Sequence, residues 1–86
     1  MDWTVYILQC ADGSLYTGIT NDLERRFAEH KAGKGAKYTK GRGPLKLVYQ
    51  ENCEDLPQAL KRENKIKALD RAAKVTLIAS ASISEL

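Results

Sequence analysis

The 86-residue chain has no apolar run of 18 residues, so it contains no segment long enough to cross a bilayer as a helix. Its start, MDWTVYIL, reads as a strand with no basic stretch ahead of it, so no secretory leader is expected. Cysteine is scarce. Cys10 and Cys53 are the only two, and neither belongs to a CxxC pair or a His/Cys cluster, which argues against a zinc site. Without an export signal both thiols are expected to be reduced, and the expected compartment is the cytoplasm, with no membrane partner. Acids are missing from one long stretch. Residues 31–46, KAGKGAKYTKGRGPLK, carry Lys31, Lys34, Lys37, Lys40, Arg42 and Lys46 with no counter-charge, in a chain of net charge +3. A concentrated cationic segment on a small protein points to a polyanionic partner; the plainer reading is a solvated, flexible loop. There is no internal repeat. The length suits one domain, expected over residues 1–80 with a frayed tail at 81–86, burying only about 60–65% of its unfolded surface.

What is present is a short series of elements. Trp3 to Cys10 is rich in β-branched and aromatic residues and apolar on both faces, so it reads as a central strand. Ala11-Asp12-Gly13-Ser14 is a turn, and Leu15 to Thr20 is the returning strand. Loop length decides where Tyr6 and Tyr16 point. A two-residue Asp12-Gly13 loop pairs residues whose numbers sum to 25 and puts the tyrosines on opposite faces. A three-residue loop, Ala11-Asp12-Gly13, closed by a left-handed glycine, makes the sum 24 and puts both on one face, with Gly18 across from Tyr6. Gly18 favours the second, because glycine inside a strand often marks close approach by another group. Asn21-Asp22-Leu23-Glu24 resembles a capping box with Asn21 as cap, opening a helix to about Ala32. Leu23 and Phe27 form its apolar stripe, and Arg26 and His30, four apart, share the face beside it. After the basic loop come a strand from Leu45 to Glu51 and a second helix started by Glu54-Asp55-Leu56-Pro57, with Pro57 in its first turn. The apolar stripe of that helix is Leu56, Ala59, Leu60, Ile66 and Leu69. Asp70 caps a third helix, Arg71 to about Ala79.

One member of the second stripe is a carboxylate, Glu63, and burying a carboxylate without compensation is costly. Together, the tyrosine pair, Arg26 with His30, Glu63 and the cationic loop fit phosphodiester chemistry. A Mg²⁺ that keeps its waters needs only one or two carboxylates. Arginine clamps phosphate through paired hydrogen bonds. Histidine takes protons near neutral pH. Each residue also has a plainer role. Glu63 can pair with Lys67, Arg26 can lie along the helix, His30 can be a surface group, and both tyrosines can be core.

The order Thr4-Val5-Tyr6, a loop, Tyr16-Thr17-Gly18, then Arg26, His30 and Glu63 resembles the GIY-YIG nuclease superfamily over about residues 3–78. GKGAKYTKGRGPLKLVY further resembles its small stand-alone bacterial branch, whose members are largely uncharacterised. The resemblance implies an α+β fold, a three-stranded antiparallel sheet flanked by helices in the order β-β-α-β-α-α. It implies an endonuclease that hydrolyses DNA with one Mg²⁺ or Mn²⁺, held weakly without substrate, in DNA repair or processing. Tyr6 and Tyr16 would position and activate water, Arg26 would hold the scissile phosphate, His30 would assist proton transfer, and Glu63 would bind the metal. Gly18 is retained as the motif glycine. The first motif departs from the family pattern in reading Thr-Val-Tyr. The family asparagine after the glutamate is also missing, since Asn64 points about 100° around the helix from Glu63. Nucleic acid would be bound by Lys34, Lys37, Tyr38, Lys40, Arg42 and Lys46, or a protein partner would supply targeting. The alternatives are a nucleic-acid-binding module without catalysis, in which Tyr38 stacks on a base, and a protein-interaction domain.

Overall fold

The computed structural model describes residues 2–84, with side-chain environments described through Ser80. Its elements are β1 (Trp3–Gln9), β2 (Leu15–Thr20), α1 (Leu23–Lys31), β3 (Lys46–Cys53), α2 (Leu56–Ala68) and α3 (Arg71–Ser84). The sheet is antiparallel with order β2-β1-β3, so the strand that is apolar on both faces is indeed the central one.

The hairpin takes the three-residue loop. Every β1–β2 pair sums to 24, including Tyr6 with Gly18 and Leu8 with Tyr16. Cys10 N donates to Ser14 O and Gly13 N to Cys10 O, closing the turn with Gly13 at φ +84°. On one face, Val5 and Ile7 pack with Tyr49 of β3 and with Ala59 and Ile66 of α2. Leu77 and Ile78 of α3 complete that layer. On the other face, Tyr6, Leu8 and Cys10 are buried. The side chain of His30 from α1 meets Tyr6 there. Cys10 and Cys53 are both free thiols, and no helix among the described residues is long and apolar enough to cross a membrane.

Three local expectations shift. The cap of α1 is Asp22, not Asn21: the Asp22 side chain accepts from Arg25 N, while its own amide donates to Thr20 Oγ1. Two adjacent Asx residues can both cap, and the strand-end threonine selects the second. The α2 stripe is narrower than its leucines suggest. Leu56, Leu60 and Leu69 are 38%, 43% and 37% exposed, whereas Ala59 and Ile66 are fully buried. A three-stranded sheet offers one helix little width, so the inward line is Ala59, Glu63 and Ile66. Finally, α3 continues past Ala79 to Ser84. Of the expected frayed tail, residues 85 and 86 lie outside those described.

Cavity formation separates the two kinds of stripe position. Ile66→Ala is expected to destabilise the fold by about 2–5 kcal/mol, and Leu60→Ala by about 0.5 kcal/mol or less, measured by urea unfolding.

Candidate active site

The odd hairpin loop puts Tyr6 and Tyr16 on the same face, ring centroids 6.4 Å apart. Tyr6 can lie across β2 only because residue 18 has no side chain. A Cβ there would come within 2.6 Å of the Tyr6 hydroxyl oxygen and 2.8 Å of Cζ. The ring therefore reaches past the edge strand, and its hydroxyl meets His30 Nε2 at 2.8 Å. The His30 ring stands 5.8 Å from that of Tyr6 and 5.3 Å from that of Tyr16.

His30 is not the surface group that its place near a helix end allows. It is 1% exposed, and its second nitrogen is engaged too, with Nδ1 2.9 Å from Thr39 Oγ1. Burial, with the nearby Arg26 guanidinium, lowers its pKa below the ordinary 6.5, against the opposing charge of Glu29. Histidine is therefore neutral here near pH 7. Tyr6 is held neutral from the other direction. Burial raises its hydroxyl pKa, Arg26 opposes that, and Tyr16 and Glu63 add to it. Arg26 is 34% exposed and bonds Glu29 through Nη1 at 3.2 Å. Burial opposes its charge, but the Tyr6 hydroxyl and Glu29 outweigh that and raise its pKa.

Glu63 arrives from α2, which packs closely on the edge strand β2. Its side chain is only 14% exposed, and Lys67 Nζ lies 3.2 Å from Oε2, so the plainer role is also realised. Its charge nevertheless acts on the Tyr6 hydroxyl. Among the described residues no group of three or more His, Cys, Asp or Glu side chains gathers as a metal cluster. A single, largely buried carboxylate with a displaceable lysine fits a hydrated Mg²⁺ that takes its remaining ligands from water and phosphate. Asn64 is exposed and turned from this face.

The basic segment is a folded run of turns. Thr39 N donates to Ala36 O, Lys40 N to Lys37 O and Arg42 N to Thr39 O. It is tied to the hairpin by Ala11 N donating to Arg42 O, and by Arg42 with Asp12 at 2.6 Å. Tyr38 stacks on Tyr16 at 5.8 Å and carries Arg42 over its ring at 4.5 Å. A base stacking on Tyr38 has to compete with these neighbours. Lys34, Lys37, Lys40 and Lys46 are exposed. The sequence reading missed Gly35 and Thr39, which touch His30. Their signal was present but uncharged, inside a stretch notable for its lysines. It also missed a second polar group on the α2 side, where Glu51 accepts from the Tyr49 hydroxyl and from Arg62 Nε.

The GIY-YIG catalytic domain matches residues 2–76, and the chain belongs to that family. It is 54% identical over 78 residues to a UPF0213 protein of Natronomonas pharaonis, covering 91% of this chain and 92% of the relative. It is 58% identical over 81 residues to a UPF0213 protein of Clostridium perfringens, covering 94% and 87%. Two solution NMR structures share the fold. A UPF0213 protein of Bacillus halodurans is 47% identical, with a TM-score of 0.61 over 92% of this chain and 84% of that one. A protein of E. faecalis is 35% identical, with a TM-score of 0.67 over 96% and 88%. The expected superfamily and the expected three-stranded α+β fold both hold, and the family supports a nuclease-like domain.

The depressed His30 pKa has a signed consequence. Above 6.5 both folded and unfolded states leave His30 neutral. As pH falls through 6.5 the unfolded chain binds a proton that the folded protein does not, so stability falls until the folded pKa is reached. Urea unfolding across this range is expected to show that slope in the wild type and not in His30→Gln.

Proposed function

We propose that this protein is a metal-dependent endonuclease hydrolysing phosphodiester bonds in DNA. The observation that carries the reading is the buried Tyr6–His30 hydrogen bond with Arg26 beside it. Both partners are neutral at rest, so the pair is set to move a proton rather than to hold a charge. Attack on phosphorus requires a water to lose a proton. The Tyr6 oxygen accepts that proton while its own passes to His30 Nε2. The hydroxide forms the new P–O bond as the leaving P–O bond breaks, and the departing oxygen takes its proton from solvent water. Arg26, partly exposed and permanently charged, turns from Glu29 to the phosphate and stabilises the added negative charge. Tyr16 packs against Tyr6 and His30 and orients them. Glu63 is the residue to hold the metal, and a bound Mg²⁺ or Mn²⁺ would supply positive charge and Lewis acidity at the phosphate. The exposed lysines 34, 37, 40 and 46 draw in the nucleic-acid backbone.

The Glu63–Lys67 pair favours a second reading, a binding module of the same fold in which the carboxylate is already neutralised. Cleavage of labelled single-stranded, duplex, nicked and branched DNA with Mg²⁺ or Mn²⁺ separates the two. Wild type is expected to cut, with Tyr6→Phe, Arg26→Ala and Glu63→Gln each slower by about 10²–10⁴-fold while remaining folded. Binding without cutting by any form would leave the module. Converting Lys34, Lys37 and Lys40 to Gln is expected to weaken binding on all sequences alike. It should flatten the slope of log K against log salt by about 0.7–0.9 for each phosphate that is no longer neutralised.

A further inference from the structure

We infer that Thr39, admitted by Gly35, is a positioning residue that fixes the His30 ring with its proton on Nδ1, leaving Nε2 free to accept from Tyr6. The purpose of this device rests on the proposed nuclease reading; its geometry does not. Thr39 is 2% exposed, and its hydroxyl oxygen lies 2.9 Å from His30 Nδ1 and 3.0 Å from the Ala36 carbonyl. A hydroxyl has one proton and a carbonyl only accepts, so the Thr39 proton goes to Ala36 O. Thr39 Oγ1 is then the acceptor, and Nδ1–H donates to it. A neutral imidazole carries a single N–H. Nε2 is therefore bare, and the Tyr6 hydroxyl at 2.8 Å donates to it. The result is one directed chain: Tyr6 O–H to Nε2, Nδ1–H to Thr39, Thr39 O–H to the backbone.

The Ala36 amide, 3.4 Å from Nδ1, pulls toward the other tautomer. The 2.9 Å contact between Nδ1 and Thr39 forms with either tautomer, so the balance lies between this 3.4 Å approach and the 3.0 Å bond from the Thr39 hydroxyl to Ala36 O, and the shorter bond prevails. The charged groups acting on the ring are Arg26 and Glu29, both from its own helix. From the strands it meets the two tyrosines, and from the loop the neutral Thr39. No charged partner on Nδ1 competes with Thr39 for the tautomer among these groups. The close approach of the loop needs glycine at 35. A Cβ there would run into Nδ1 and Cγ of His30 and lie 2.9 Å from its Cα. Fixing the tautomer matters for proton transfer because an Nε2–H ring would offer Tyr6 a donor and block the relay.

His30 is the only histidine in the chain, so its ring ¹⁵N signals are unambiguous. Long-range ¹H–¹⁵N spectra of the wild type, above the His30 titration, are expected to show a protonated Nδ1 and a bare Nε2. Thr39→Val keeps the shape and removes the hydroxyl. It is expected to shift the ring toward Nε2–H and to lower kcat by about 10–100-fold, less than removal of the whole relay, with KM unchanged. Thr39→Ser is expected to restore both. An Nε2–H ring in the wild type overturns the inference without any variant, and so does a Thr39→Val ring that keeps Nδ1–H. A wild-type Nδ1–H ring that Thr39→Val shifts, in a protein that cuts nothing, supports the positioning role and removes the nuclease reading instead.

Discussion

The site depends on Tyr6 lying across a bare backbone at Gly18. With a Cβ at that position the tyrosine hydroxyl would meet carbon at 2.6 Å, and the ring would have to leave the plane that carries it over the edge strand. Its hydroxyl would then miss Nε2 of His30, and the buried imidazole would lose the partner of that nitrogen, an expensive loss for a polar group out of water. The pairing of Tyr6 with Gly18 follows from the length of the hairpin loop. One residue fewer in the loop would flip every side chain of β2 to the other face. A turn at the sheet's end thus governs a hydrogen bond formed well away from it.

Burial then sets the electrostatic character of the site. The same loss of water raises the Tyr6 pKa and lowers that of His30, so both are uncharged and share a proton between them. The fixed charges lie at the margins. Arg26 is held by Glu29, and Glu63 by Lys67; Glu63 itself is largely buried, but Arg26, Glu29 and Lys67 are open enough for solvent to screen both pairs. Such pairs can be exchanged for a phosphate or a cation at small cost. The neutral centre cannot be rearranged so cheaply, because its members have no water to fall back on.

The basic segment divides between two tasks. Its lysines face outward, while Gly35, Ala36 and Thr39 close behind the histidine. The exposed Arg42–Asp12 ion pair is screened by solvent and holds little. The loop is held more by buried Thr39, by its successive turns and by the backbone bond from Ala11 to Arg42. Tyr38 joins the two tasks, stacked on Tyr16 below and covered by Arg42.

The order of elements, the central position of β1, the odd hairpin loop and the inward place of Glu63 were all legible in the residues. They rest on alternation, helical spacing, turn chemistry and capping, which act between neighbours in the chain. Asp55, Pro57 and Asp70 marked their helix starts for the same reason. The choice of Asp22 over Asn21 depended on how Thr20 leaves the sheet. The exposure of Leu56, Leu60 and Leu69 depended on how much sheet was available to cover. Above all, the meeting of Thr39 with His30 joins residues of a loop and a helix through a glycine between them, with no periodicity to announce it. Local pattern determined which elements form and which faces are apolar. Only the folded chain decided which polar atoms share a buried space, because that is settled by long-range packing and by the need of every buried donor and acceptor for a partner.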